Sequence, residues 1–139
     1  MIIKQTIIII GATGKVGSAI AKSLSKGNYR LLLNGRDNDK TNQLIIEIKK
    51  ANPAADIEGI DCSFNGCLEA DIIISAVPYA AEKDLAKKIK EVANQKIVIS
   101  IANPLNENYD GLTATADTSA AEEFQKFLPN SKVVKAFNT

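Results

Sequence analysis

The sequence predicts an α/β protein of three layers, with a doubly wound, mostly parallel sheet of six strands between helices. Three observations carry that expectation. Short apolar runs alternate with segments of helical periodicity, the pattern of parallel strands joined by crossover helices. Several runs are apolar without alternation, as in Ile7–Ile10, Leu31–Leu33 and Ile72–Ile74, and such strands are buried on both faces. The first run leads into Gly11-Ala12-Thr13-Gly14-Lys15-Val16-Gly17, a glycine turn between a strand and a helix.

In chain order, the first strand is expected over Ile2–Ile10 and the helix after the glycines over Lys15–Lys26. Val16, Ala19, Ile20 and Leu24 form its expected buried face, and Gly27 can close it. Arg30–Asn34 reads as the second strand. Asp37-Asn38-Asp39 offers caps for a helix from about Lys40 to Ala51, with Leu44, Ile45 and Ile48 inward and Pro53 beyond its end. Asp56–Asp61 is a weakly patterned third strand, and Ser63–Glu69 reads as a loop or single turn. Asp71–Val77 is the fourth strand, ending at Pro78. The segment Tyr79–Ala93 reads as a helix that buries Leu85, Ile89 and Val92. Lys96–Ile101 is the fifth strand, with an irregular loop from Asn103 through Asp117 after it. Ser119-Ala120-Ala121-Glu122 has the form of a capping box and opens a helix carrying Phe124, Phe127 and Leu128, stopped by Pro129. Lys132–Phe137 is the sixth strand. Six strands with a glycine turn after the first imply the Rossmann order 3-2-1-4-5-6, with residues 1–139 as one domain.

Composition narrows the function. The chain has 139 residues, 45% of them hydrophobic, which suits a single domain with a substantial core. Its 17 basic and 16 acidic residues are scattered, so neither a nucleic-acid surface nor a membrane surface is expected. No run approaches the roughly 20 apolar residues of a membrane span. The N-terminal segment lacks the apolar stretch of a signal peptide, and a cytoplasmic location is expected. Cys62 and Cys67 are the only cysteines and there is no histidine. A zinc site and Ser-His or Cys-His catalysis are thereby disfavoured, and the thiols read as structural.

The glycine turn has the spacing G-x-x-G-x-x-G, one residue longer at its start than the G-x-G-x-x-G fingerprint. The physics is shared. Gly11 ends the strand in a tight turn, Gly14 lets the backbone approach a pyrophosphate, and Gly17 lets the helix pack close to the sheet. Free N–H groups at the helix start, with the helix dipole, attract phosphate. The end of the second strand decides which dinucleotide fits. The chain reads Asn34-Gly35-Arg36-Asp37, and the count of residues from the last glycine falls on Arg36 or Asp37 alike. The strand terminus is an amide and not a carboxylate, Asp37 has a competing role as a helix cap, and a guanidinium binds a phosphate through paired hydrogen bonds. NADP is therefore expected over NAD.

Several segments together resemble one family. They are Ile10-Gly11-Ala12-Thr13-Gly14 with Gly17, Asn34-Gly35-Arg36, Ser75-Ala76-Val77-Pro78-Tyr79, Asn103-Pro104-Leu105, Ser119 through Pro129, and the closing Val133-Val134-Lys135-Ala136-Phe137-Asn138-Thr139. They resemble the NADP oxidoreductases that depend on the deazaflavin coenzyme F420, and related NADP-binding reductases. The resemblance implies that Gly11, Ala12, Thr13, Gly14, Lys15, Val16 and Gly17 hold the pyrophosphate. It implies that Asn34 and Arg36 grip the 2′-phosphate. Ala76, Val77, Pro78 and Tyr79 would close the fourth strand on the nicotinamide side, with Asn103 and Pro104 beside the ring. Such enzymes continue past the Asn-Thr pair into a segment that helps form the partner-cofactor site and the dimer, and that segment is expected to be absent here. A homodimer is a further expectation.

Gly-Ala-Thr-Gly-x-x-Gly also opens the atypical short-chain reductases and the related NmrA-like regulatory proteins. Tyr79-Ala80-Ala81-Glu82-Lys83 matches the spelling of their Tyr-x-x-x-Lys pair. It comes directly after the fourth strand, too early for that role, and reads as an exposed helix face. Two functions stay open: hydride transfer between NADPH and a second cofactor or small substrate, or a dinucleotide sensor without turnover. No residue is assigned as catalytic.

Overall fold

A computed structural model of the chain describes residues 4–101 and 120–135. Six strands form one sheet: β1 (Gln5–Ile10), β2 (Tyr29–Asn34), β3 (Asp56–Gly59), β4 (Ile72–Ser75), β5 (Ile97–Ser100) and β6 (Lys132–Lys135). Their order is 3-2-1-4-5-6 as expected, and every pairing is parallel. The period of two in β1 divides the core. Ile7 and Ile9 face α1 (Lys15–Leu24) and α2 (Asn38–Ala51). Ile8 and Ile10 face α3 (Ser63–Glu69), α4 (Glu82–Ile89) and α5 (Ala120–Phe127). Because the central strands are covered on both sides, Ile8, Ile9 and Leu33 are fully excluded from water. Each such side chain stabilises the fold by roughly 1.5–3 kcal/mol relative to exposure.

Local chemistry accounts for most element boundaries. The Asp37 carboxylate accepts hydrogen bonds from the main-chain N–H groups of Asp39 (2.9 Å) and Lys40 (3.3 Å), so α2 starts two residues earlier than its apolar pattern suggests. Asp37→Ala is expected to cost about 1 kcal/mol, the worth of an N-cap, read as a lower urea midpoint at unchanged slope. In α1 the buried stripe is Gly17, Ile20 and Ala21, with Leu24 partly covered, while Val16 and Ala19 are exposed. The expected stripe is displaced because Gly17, and no larger residue, sits directly on the main chain of Gly11 and Ala12. The helix ends at Leu24, where Ser25 turns its hydroxyl to the Lys22 carbonyl at 2.7 Å; Gly27 comes next without a left-handed conformation.

The segment Ser63–Glu69, expected as loop or single turn, is a seven-residue helix. Its sequence has little helical propensity, and Gly66 weakens it further. Tertiary contacts form it: Gly66 lies against Ile8, Cys67 is fully buried, and Lys96 Nζ donates to the carbonyls of Cys67 and Leu68 at its C-terminal end. Burial pushes the Cys67 thiol up to about 12, so it is inert, while Cys62 is exposed. The expected helix at Tyr79 begins with a 3₁₀ turn, Tyr79–Ala81, before α4. The expected starts and ends at Ile2, Ser119 and Phe137, and the loop from Asn103 through Asp117, lie outside the described residues. Among the described residues no helix is long and apolar enough to cross a membrane, and no cluster of potential metal ligands is present.

Candidate functional site

The sheet order reverses at β1, so the carboxyl ends of β1 and β4 diverge and leave a crevice. A cleft of about 770 Å³ opens there, within the size range of small-molecule sites. Its floor is Ile10, Gly11, Thr13 and Gly14; one wall is Asn34 through Asn38 with Lys40, Asp61 and Ser63; the other is Ala76, Val77, Pro78, Ala81, Asp84, Leu85 and Lys88.

The three glycines have distinct physical reasons. Gly11 adopts φ +83°, a left-handed conformation, and a Cβ there would lie 2.6 Å from the Ala76 carbonyl oxygen. A Cβ at Gly17 would collide with the Gly11 carbonyl oxygen. Gly14 differs. Its backbone is ordinary and extended (φ −71°, ψ 171°), and an added Cβ would meet no protein atom nearer than the Gly11 carbonyl oxygen at 3.4 Å. The fold does not require glycine at that position, and the position faces the cleft.

Gly14 is also the N-cap of α1, so no side chain caps that helix. The N–H of Ser18 returns to the Gly14 carbonyl at 2.9 Å, as in any first turn. The N–H groups of Lys15, Val16 and Gly17 precede the first intrahelical bond and have no acceptor among the described residues. Their partial positive charge, with the helix dipole behind it, forms an anion seat beside Gly14.

The side walls are tied to this turn. Gly11 and Ala12 donate their N–H groups to the Asn34 carbonyl at 2.9 and 3.0 Å. The Asn34 side-chain amide donates to the carbonyls of Ile60 (2.9 Å) and Asp61 (3.3 Å), which holds the end of β2 to the chain after β3. Its donors are thus engaged with main chain. Arg36 stands exposed on the same rim without an ion pair among the described residues, and Lys40 joins it from the first turn of α2. Gly35 keeps an ordinary backbone; a side chain there would crowd Thr41 Oγ1 at 2.7 Å. On the opposite wall, Ala76 donates its N–H to the Ile10 carbonyl at 2.8 Å, which fixes the Ala76–Pro78 segment beside the glycine turn.

Some expected residues lie elsewhere. Ala12 is buried under the turn, and Val16 is exposed beyond the cleft lining. Tyr79 points away, donating its hydroxyl to Glu123 in a separate cavity of about 220 Å³ between α4 and α5. That hydrogen bond, then burial, raises the Tyr79 hydroxyl to about 12. Lys83 lies 6.0 Å from the Phe127 ring centroid in the same cavity. The Tyr79-x-x-x-Lys83 spelling therefore serves the α4–α5 contact and not the cleft. Asn103 and Pro104 lie outside the described residues.

Motif reading alone misses Lys40, Asp84 and Lys88 in the cleft and a buried carboxyl behind it. Glu82 is 3% exposed, and its Oε2 accepts from Ser100 Oγ at 2.8 Å. Burial, with the Glu123 carboxylate adding to it, raises Glu82 to about 7 against the opposing hydrogen bond from Ser100. A signal for it exists: Glu82 falls on the same helical face as Leu85 and Ile89, where a charge is out of place. The unfolded chain ionises this group in the ordinary carboxylate range, while the folded chain keeps the proton to about pH 7. Stability contributed by Glu82 therefore falls as pH rises across that window, and Glu82→Gln is expected to flatten that part of the melting profile between pH 5 and 8.

An F420-dependent NADP reductase from Methanocaldococcus jannaschii is 32% identical over 139 residues, covering 94% of this chain and 61% of that protein. A second, from Methanothermobacter marburgensis, is 27% identical, covering 95% of this chain and 62% of that protein. The chain thus spans about three fifths of the length of these curated relatives. Among solved structures, a candidate F420-dependent NADP reductase from Arthrobacter sp. FB24 superposes with a TM-score of 0.76 at 23% identity, over 93% of this chain and 60% of that one. A Cryptosporidium parvum lactate dehydrogenase superposes with a TM-score of 0.72 at 18% identity, over 93% and 43%; both likenesses concern the fold. The model of the family described as NADP oxidoreductase, coenzyme F420-dependent, matches residues 6–104. With most of the sheet, the glycine turn and both cleft walls inside that match, the chain belongs to the coenzyme F420-dependent NADP oxidoreductase family.

Proposed function

We propose that this chain binds NADP(H) in the cleft and that hydride passes there between the nicotinamide and a second redox partner, a deazaflavin of the F420 type. The observation that carries the reading is Gly14. It is a glycine the fold does not need, at the uncapped start of α1, open to the cleft. Lys15, Val16 and Gly17 N–H groups hold the pyrophosphate there, and Arg36 with Lys40 holds the 2′-phosphate on the rim. Ala76, Val77 and Pro78 give the nicotinamide an apolar wall that excludes water from one face. The dinucleotide supplies the hydride chemistry, and the protein supplies binding, orientation and electrostatics, so no acid or base side chain is required of this chain. Pairing of two copies belongs to the same proposal.

Titration with NADPH and NADH, with 340 nm absorbance monitored on adding oxidised deazaflavin coenzyme, tests the reading. Saturable binding that favours NADPH, with loss of absorbance only when the deazaflavin is present, supports it. Tight NADPH binding without oxidation by any acceptor points instead to a dinucleotide sensor. Absence of NADPH binding at millimolar concentration overturns both.

A further inference from the structure

We propose that Glu82 is a positioning residue for the nicotinamide wall: its buried carboxyl joins the ends of β4 and β5 to the start of α4 and thereby fixes the Ala76–Pro78 segment. The proposal rests on the dinucleotide reading of the cleft. Ser75 and Ser100 are register partners at the last paired position of β4 and β5. Both are fully buried, polar ends on otherwise apolar strands. Glu82, the first residue of α4, reaches back to them and accepts from Ser100 Oγ at 2.8 Å. Ser75 Oγ lies close enough to favour the carboxylate, yet neither it nor Glu82 Oε1 has a hydrogen-bond partner among the described residues. Two buried polar atoms without partners, side by side, are costly, and a small shift or a change of protonation lets one satisfy the other.

The cleft wall begins one residue beyond Ser75. Ala76 donates its N–H to the Ile10 carbonyl, so the setting of Ser75 passes directly to the Ala76–Pro78 wall. Ile101 N–H bonds the Ser75 carbonyl at 3.3 Å, tying the end of β5 to the same residue. Among the described residues, the groups facing the carboxyl are few. Ser75 comes from β4, Ser100 from β5, and Glu123 from α5, the last held by the Tyr79 hydroxyl. Lys83, the adjacent residue, is turned to Phe127, and no ion pair joins Glu82 among the described residues. With no cation to neutralise it and Glu123 opposing ionisation, the carboxyl changes charge near neutrality. Anionic dinucleotide in the adjacent cleft further favours its protonated form, so binding takes up a proton and weakens as pH rises through about 7.

The experiment measures binding of NADPH and of adenosine 2′,5′-bisphosphate, which lacks the nicotinamide half, to wild type, Glu82→Ala and Glu82→Gln. NADH, without the titrating 2′-phosphate, serves for the pH series from 6 to 8. Glu82→Ala is expected to weaken NADPH on the order of tenfold, the size of coupling through one packed contact, and to leave the bisphosphate within about twofold. Glu82→Gln, whose amide satisfies both serines without ionising, is expected to restore NADPH affinity and to bind NADH without the wild-type pH slope. Equal losses for both ligands in Glu82→Ala, or a wild-type pH slope in Glu82→Gln, overturn the positioning role. Failure of wild type to bind either ligand overturns the dinucleotide reading itself, a result distinct from the others. If Glu82→Ala does not fold, the Gln variant's pH series alone decides.

Discussion

Replacing Gly14 by valine is expected to abolish NADPH binding in a protein that still folds, whereas valine at Gly17 is expected to unfold it. The two sites lie three residues apart in one motif and differ in what surrounds them. At Gly17 the new Cβ would overlap the Gly11 carbonyl oxygen, which cannot move because Gly11 is itself held at φ +83° against Ala76. That places Gly17→Val in the severe class of substitutions, roughly 3 kcal/mol or more, after allowing for the better helix propensity of any side chain. At Gly14 the backbone already suits valine, and the nearest protein atom is 3.4 Å away. The cost there is that of a poorer N-cap residue, about 1 kcal/mol or less. The valine methyls instead occupy the seat above the Lys15–Gly17 N–H groups. Losing two charge-assisted hydrogen bonds to phosphate costs roughly 3–6 kcal/mol, at least a hundredfold in affinity. Thermal melting paired with NADPH calorimetry reads both halves. Binding by Gly14→Val at wild-type strength would remove phosphate from that turn.

The sheet is legible in the sequence because its central strands are buried on both faces and so carry uninterrupted runs of Ile and Leu. The glycine turn is legible because it sits between such a run and a helix. Other features depend on contacts the sequence does not display. The helix at Ser63–Glu69 exists because Cys67 and Gly66 pack under Ile8 and Lys96 caps its end, and none of this has a local periodic signature. The place of Asn34 at a strand end suggests a phosphate ligand, but the carbonyls of Ile60 and Asp61, far along the chain, take its amide. Tyr79 departs from its expected place for a related reason. It adjoins the cleft wall in sequence, and the 3₁₀ turn swings it to the α4–α5 side toward Glu123. Lys40 carries no motif of its own, since it lies in the first turn of a helix whose visible signal is the Asp37 cap, yet that first turn forms the rim.

Arg36→Ala is expected to lower NADPH affinity by roughly 1.5–3 kcal/mol, about 10- to 150-fold, the worth of hydrogen bonds to a charged group. NADH affinity should change less than twofold, because the groups proposed to hold the pyrophosphate and the nicotinamide are untouched. The rim makes this a sharp test. Arg36 is exposed and makes no ion pair among the described residues, so its removal strands no buried partner and leaves stability within about 0.5 kcal/mol. Lys40 supplies a second cation, so the loss is partial, and Lys40→Ala alone should cost less because an ammonium lacks the paired donors of a guanidinium. The effects of the two substitutions should exceed their sum in the double variant, since each cation covers for the other at one phosphate. Raising salt should erode the NADPH preference in wild type and hardly at all in the double variant, because the preference is an attraction between exposed charges. Equal losses of NADPH and NADH in Arg36→Ala would place the guanidinium at the pyrophosphate, and no loss for either would leave it an ordinary surface arginine.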